Sequence, residues 1–441
     1  MAIKVGMVSL GCPKNQVDAE MLLSNIKRDG FEITADVQQA DVVVINTCGF
    51  IESAKQESID SILEFCALKE QGQLKCVVVT GCLAERYQEE LAKEIPEVDV
   101  VLGIGSNAEI ARAITDALDG RKVSDFADKQ ALALNGERVI STPSYFAYLK
   151  IAEGCDNNCT YCAIPAIRGP YRSRKLEDIV EEAEWLASSG VKELIVVAQD
   201  TTRYGSDLYG ELKLPELLRR LCQIDGFVWI RVLYCYPEMV TDELLDVLAE
   251  EPKMAKYIDI PIQHINSAVL RRMHRRSTRE EILSVVQRVR ERVPNITLRT
   301  TLIAGFPGET KEQFEELVEF VKESKFDRLC CFAYSQEEGT PAAKLPDQLD
   351  EETKARRAEL VMLEQQTINE ERNRAQLGKI VKVLVEGFDM ETCCYVGRSE
   401  ADAPDIDGVV LFVSEKELSP GDFAEVEIID ILDYDLMGRA V

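Results

Sequence analysis

Histidine is almost missing from this chain. Its 441 residues hold only two, His264 and His274, which excludes a multi-histidine zinc or non-haem iron centre. No segment approaches the roughly 18 consecutive apolar residues of a membrane span. The N-terminal run MAIKVGMVSLGC lacks the charged-then-apolar layout of a secretion signal and reads as a first strand, so the expected compartment is cytoplasmic. Basic residues are also in short supply, 51 Lys and Arg against 78 Asp and Glu, a net charge of −27. Nucleic-acid affinity rests on Lys and Arg neutralising phosphates, so this balance disfavours such a partner and attracts a basic one.

What the chain has in plenty is cysteine, fourteen in all. Disulfides are disfavoured in the cytoplasm, so spacing must separate core thiols from metal ligands.

The length implies two or three domains. Residues 1–122 alternate β-branched runs (3–10, 42–46, 76–80 and 98–102) with helical stretches, which predicts an α/β domain built on a parallel sheet. The polar segment 121–143 loses periodicity and reads as a linker. A second βα series occupies residues 141–372, with strands expected at 145–151, 194–198, 228–233, 257–262, 297–304 and 328–334. Six units predict a partial (βα)6 barrel with a lateral mouth. A charged helix is expected over 350–377, ended by Gly378. Residues 376–441 carry short alternating runs (380–386, 409–413 and 423–431) and predict a small antiparallel β-domain.

Cys155, Cys159 and Cys162 stand in the spacing C-x3-C-x2-C directly after the first barrel strand. Three thiolates on one tight loop can hold three irons of a 4Fe–4S cube and leave the fourth open. An open iron can chelate the amino and carboxylate groups of S-adenosylmethionine, placing its sulfonium beside an electron source. A zinc site would need a fourth Cys or His nearby.

Cys12, Cys48 and Cys82 each end a hydrophobic run. In an open parallel sheet the strand C-termini converge on one edge, so the three thiols are expected to meet there. The pattern favours a second three-thiolate cluster; ordinary buried thiols are the alternative. That alternative fits Cys66, Cys76, Cys222 and Cys235 well. The adjacent pairs Cys330–Cys331 and Cys393–Cys394 point to opposite faces of a strand and read as structural.

The cysteine loop, with Tyr161 just before its third cysteine, resembles the radical S-adenosylmethionine superfamily. That resemblance turns Tyr161 toward the adenine and makes Gln199, Asp200 and Arg299 further candidate contacts to S-adenosylmethionine. The superfamily's Gly-Gly-Glu is here Ala198-Gln199-Asp200. For Arg299, Gln263 and His264, cofactor contact and core hydrogen bonding both stand open. The Gly-Phe-Pro-Gly-Glu of residues 305–309 reads either as the superfamily's fifth-strand motif or as a strand-to-helix turn.

With both trios in place the chain resembles the methylthiotransferases along its whole length. The segments Ser9-Leu-Gly-Cys12-Pro-Lys-Asn15, Asn46-Thr-Cys48-Gly-Phe50 and residues 397–408 carry the likeness. That family joins an N-terminal cluster domain, a radical barrel and a C-terminal TRAM domain. The match is closest to the branch that modifies an aspartate of small-subunit ribosomal protein twelve; the Gln-Met-Asn of the tRNA-modifying branch is absent after Cys12. Residues 376–441 hold 15 Asp and Glu against 5 Lys and Arg, and the run 402–407 in particular suits a basic protein better than tRNA.

The resemblance implies two 4Fe–4S clusters and S-adenosylmethionine as both methyl donor and radical source. It also implies an electron donor such as flavodoxin or ferredoxin, a monomer, and neither membrane nor tRNA as partner. No protein acid or base is expected to be catalytic, because the aspartate β-carbon holds its hydrogen too firmly for proton abstraction. Two rivals remain. One is a tRNA adenosine methylthiotransferase, whose best feature is the basic run at 271–276, although such a cluster is more often simply an exposed helix face. The other is a non-catalytic iron–sulfur electron carrier, disfavoured because carriers usually ligate every iron with protein cysteines.

Overall fold

The computed structural model describes residues 2–441. The first unit runs β1 (Lys4–Ser9), α1 (Pro13–Arg28), β2 (Glu32–Thr34), β3 (Val42–Thr47), α2 (Glu52–Glu70), β4 (Cys76–Gly81), α3 (Cys82–Tyr87), α4 (Glu89–Glu94), β5 (Val100–Leu102), α5 (Ile110–Leu118) and β6 (Val123–Asp125). Its strands form one all-parallel sheet in the order β2-β1-β3-β4-β5-β6. The central strands β3 and β4 are buried throughout, as Val-rich strands covered on both faces should be.

Two of these strands differ from the sequence expectation. β2 and β6 are three-residue edge strands with no fully buried position, so neither shows a hydrophobic period. β6 lies inside the segment read as a linker. The rest of that segment is not free either: Arg138 is buried and pairs with Glu20 of α1 and with Glu182 of the next unit.

The middle unit runs β7 (Phe146–Lys150), β8 (Ala152–Glu153), α6 (Ile164–Arg168), β9 (Arg172–Ser173), α7 (Leu176–Ser188), β10 (Glu193–Val197), α8 (Leu214–Cys222), β11 (Trp229–Val232), α9 (Asp242–Glu250), β12 (Tyr257–Asp259), α10 (Ser267–Arg272), α11 (Arg279–Arg292), β13 (Thr297–Ala304), α12 (Lys311–Ser324), β14 (Arg328–Ala333) and α13 (Glu351–Arg374). The six expected barrel strands are present as two parallel triplets, β7-β10-β11 and β12-β13-β14. A parallel bridge from Ile230 to Met254 leads from one triplet toward the other. Helices α7 to α13 pack their apolar faces on the outside of this arc in one continuous core.

The last unit is a closed five-stranded barrel of β15 (Ile380–Asp389), β16 (Cys394–Ser399), β17 (Val410–Val413), β18 (Phe423–Leu432) and β19 (Asp435–Ala440), ordered β15-β16-β17-β19-β18. It has two more strands than the pattern predicts, and the β17–β19 pair is parallel while the others are antiparallel.

This barrel docks on the floor of the middle unit and overturns one electrostatic expectation. Two of the three acids in the run 402–407 are spent internally, and only Asp405 is exposed. Asp402 pairs with Arg328 at 2.5 Å. Asp407 accepts from the Tyr257 hydroxyl at 2.6 Å and faces Arg299 at 3.6 Å. Beside them Glu193 joins Arg231 and Arg398 at 2.8 and 2.7 Å. Desolvated guanidinium groups need counter-charges, and the run supplies them. The exposed acids of this unit lie on the outer face of β18, at Glu425, Glu427 and Asp430, and in the turns, at Glu391, Asp405, Glu415, Glu417, Asp422 and Asp433.

Candidate functional site

Cys12, Cys48 and Cys82 follow β1, β3 and β4, whose pairings run in register to Ser9–Asn46 and Thr47–Gly81. The strand ends are therefore level, and glycine lets the three loops touch. A Cβ built on Gly11 would lie 2.8 Å from Cβ of Cys48, and one on Gly49 would lie 2.8 Å from the Leu83 nitrogen and 2.9 Å from the Cys82 carbonyl carbon. Asn15 ties the edge together by donating to the carbonyls of Leu10 and Thr47 at 2.7 and 3.2 Å. The spacing of Cys12 to Asn15 thus has a local cause: one turn of α1 returns the amide to the strand ends.

Gly81 sits at φ +95°, and its Cβ would meet the Thr47 carbonyl oxygen at 2.5 Å and Asn46 Oδ1 at 2.6 Å. Replacing Gly81 with alanine is expected to lower stability by about 1–3 kcal/mol. Urea denaturation checks the stability, and iron analysis after anaerobic reconstitution checks the loss of metal from this edge.

Cys155, Cys159 and Cys162 lie on the loop that leaves β8. The Cys155 amide donates to the Gly169 carbonyl at 3.1 Å, and the Cys162 amide to that of Cys159 at 3.0 Å. Asn157 donates to Asp200 at 2.8 Å, and Thr160 donates through its hydroxyl to the Arg272 carbonyl at 2.8 Å and through its amide to that of Met273 at 3.0 Å. Tyr161 packs toward Met273, Phe306 and Tyr334.

Burial dominates the state of these thiols. It pushes Cys48 up to about 12 and Cys155 up to about 11, and raises Cys82 and Cys162 as well. Metal loading must therefore displace protons from both edges. Among the described residues no three Cys, His, Asp or Glu close round a single ion. An iron–sulfur cube asks for a wider arrangement, since each thiolate binds its own iron. The donor set, three cysteines per site with glycine-lined approaches, fits such a cube.

The two trios face each other across the boundary between units. Cys82 packs against Ala163 and Ile167, immediately after Cys162. Arg168 spans the junction. Its guanidinium donates to Cys82 Sγ at 3.2 Å and Asn15 Oδ1 at 3.0 Å, and pairs with Asp18 at 2.5 Å and Glu153 at 3.3 Å. Lys150 joins the same two carboxylates, and all four charged groups are buried. Farther out, Glu337 of the middle unit receives Arg86 and Lys55 of the first at 2.9 and 3.2 Å. A cleft of about 560 Å³ opens there, lined by Cys159, Cys162, Arg86 and Thr340 among others. None of these charged groups was a sequence candidate. The available signal was the polar set Lys14, Asn15 and Asp18, helically spaced yet buried in α1.

The remaining candidates separate. Gln199 donates to Glu153 at 2.8 Å while its Oε1 is buried without a partner, so it keeps one acceptor free. Asp200 does not: its carboxylate is taken by Asn157 and by Thr202 at 2.6 Å. Arg299 is also withdrawn, because it lies early in β13 and pairs at the barrel floor with Asp259 at 2.9 Å and with Asp407. His264 accepts from the Asn266 amide and faces Glu309 at 3.4 Å. Glu309 in turn accepts from the Gly305 amide at 3.0 Å and pairs with Arg357, so residues 305–309 form the strand-to-helix turn. The basic run is no exposed face: Met273 and Arg275 are buried, and only Arg271, His274 and Arg276 face solvent.

Residues 149–321 match the radical SAM superfamily, residues 4–103 the uncharacterised protein family UPF0004, and residues 377–441 the TRAM domain. A relative from Clostridioides difficile, named ribosomal protein uS12 methylthiotransferase RimO, is 51% identical over 99% of this chain and 98% of its own. One of the same name from Pelotomaculum thermopropionicum is 52% identical over the full length of both. Among solved structures, the radical S-adenosylmethionine methyltransferase TsrM from Kitasatospora setae has a TM-score of 0.57 at 17% identity, covering 78% of this chain and 77% of that one; this likeness concerns the fold alone. No helix among the described residues is long and apolar enough to cross a membrane.

Proposed function

The chain belongs to the family of ribosomal protein uS12 methylthiotransferases (RimO), and from this we propose a division of labour between its two cysteine edges. It is a radical S-adenosylmethionine transferase that adds a methylthio group to ribosomal protein uS12. In our reading Cys155, Cys159 and Cys162 hold the cluster that works with S-adenosylmethionine, and Cys12, Cys48 and Cys82 hold a second 4Fe–4S cluster that handles sulfur. The observation that carries it is the meeting of the two edges, with Cys82 against Ala163 and Arg168 bridging them.

When bound, the reactive cluster and S-adenosylmethionine supply one-electron cleavage of a sulfonium bond, which suits an unactivated aspartate β-carbon. The chain's own residues bind and orient. In this reading the unpartnered Gln199 Oε1 would accept from the amino group of S-adenosylmethionine, and Tyr161 would cover its adenine. The Arg168 network holds the two edges at fixed separation, and the Arg86–Glu337 pair borders the cleft between them. No side chain is asked to move a proton. A one-electron carrier of the flavodoxin or ferredoxin kind would serve as reductant to a cytoplasmic monomer.

The test is anaerobic reconstitution, then incubation with uS12, S-adenosylmethionine and reductant. A uS12 peptide should gain one methylthio group by mass; transfer to tRNA alone would overturn the acceptor. The full chain should bind about eight irons, falling to about four with Cys12→Ala, Cys48→Ala and Cys82→Ala. That variant should still release 5′-deoxyadenosine while losing methylthio transfer. Four irons in both proteins would remove the second cluster from the scheme.

A further inference from the structure

Six arginines among the described residues are buried: Arg138, Arg168, Arg174, Arg231, Arg275 and Arg398. Five of them pair with glutamate or aspartate. Arg275, 7% exposed, pairs with none. Its guanidinium donates to the Pro261 carbonyl at 2.8 Å and points at Cys159 Sγ from 3.9 Å. It lies 4.2 Å from the ring centre of Tyr236, whose hydroxyl is 3.7 Å from the same sulfur. Glu238, the carboxylate in the neighbourhood, is exposed and accepts from Ser277 at 3.0 Å.

A guanidinium cannot shed its charge, and one removed from water without a counter-ion is strongly unfavourable. The anion that completes this site must come from the side of Cys159. We propose that Arg275 is the counter-cation of the reactive cluster, a positioning residue that sets its reduction potential. The inference rests on the reading of Cys155, Cys159 and Cys162 as cluster ligands. A cube on three thiolates gains one negative charge on reduction, and a cation donating toward its sulfur favours that state. The fold holds the cation in place with the bonds that hold the loop: Thr160 to Arg272 and Met273, and the His274 ring against the Asn158 carbonyl at 3.0 Å. The basic run 271–276 thereby acquires a use that faces inward.

The experiment uses the full chain with Cys12, Cys48 and Cys82 replaced by alanine, so that one cluster reports. Arg275→Gln and Arg275→Lys are made in this parent, reconstituted anaerobically, and titrated redox-wise by electron paramagnetic resonance alongside iron analysis. Arg275→Gln should reduce the ratio of reduced to oxidised cluster at fixed potential about tenfold, a fall of about 59 mV for one electron, and Arg275→Lys should recover much of it. Iron loss in the glutamine variant alone also supports a required charge. An unchanged midpoint with full iron in Arg275→Gln overturns the proposal, as does equal iron loss in both variants, which marks a packing role. A parent that binds no iron refutes the ligand reading itself, and the proposal with it.

Discussion

Alanine at Cys155, Cys159 and Cys162 should abolish both 5′-deoxyadenosine release and methylthio transfer, a loss of at least about a millionfold. No acid or base elsewhere can substitute, because the hydrogen to be removed is not acidic. The loop should nevertheless keep its course. Asn157 remains bonded to Asp200, and Thr160 to Met273, through groups the substitution leaves alone. Iron should fall from about eight to about four, retained at the first-domain edge. Chromatography of the nucleoside product and iron analysis check the two parts separately. Eight irons with no activity would place the cluster ligands elsewhere.

Arg168→Ala should be the most damaging change outside the cysteines. It leaves Asp18 and Glu153 buried with Lys150 as their one cation, which is expected to cost about 3–5 kcal/mol. It also removes the donor at 3.2 Å from Cys82 and the bond to Asn15, so the two edges lose their shared anchor. Urea denaturation of the metal-free protein measures the first effect and limited proteolysis near 121–143 the second.

The same network predicts an acid response. Burial alone would raise Glu153, but Lys150 and Arg168 hold it below the ordinary glutamate value of 4.5. A carboxylate lowered on folding contributes stability above its unfolded value and loses it as pH falls. The wild-type protein should therefore weaken progressively below about pH 4.5. Arg168→Ala should respond less steeply, since its glutamate is already less well held.

The acceptor question also turns on where charge lies. An acidic C-terminal unit was readable from composition, but Asp402 and Asp407 of its most conspicuous run are spent internally on Arg328 and Arg299. What remains for a basic protein is the outer stripe of β18, where alternate residues of a strand face water, and the exposed turn acids Asp405, Glu415, Glu417 and Asp422.

Several features were legible in the residues because they are local. Val-rich runs announced β3 and β4, and the longer alternations announced the six barrel strands. The C-x3-C-x2-C spacing placed three thiols on one loop, since so short a segment cannot carry them apart. The first-domain trio was legible one step further, from three runs each ending at a cysteine, because parallel strands must end on a common edge. β2, β6, β16 and β19 were not: β2 and β6 are three-residue edge strands, and β16 and β19, paired on both sides in the closed barrel, take their place from their neighbours rather than from a period of their own.

Tertiary structure alone decided which polar residues belong to the site. Asp18, Lys150, Glu153 and Arg168 lie up to 150 residues apart, and nothing local marks a charge that will be buried. Arg299 and Asp200 looked available in sequence and are committed to other partners in space. Arg275 looked like one cation in an exposed basic run and is buried against Cys159. Sequence determines which groups the chain can offer; whether each is solvated, paired or left facing a sulfur depends on what the fold sets beside it, because the energy of a charge is set by its surroundings.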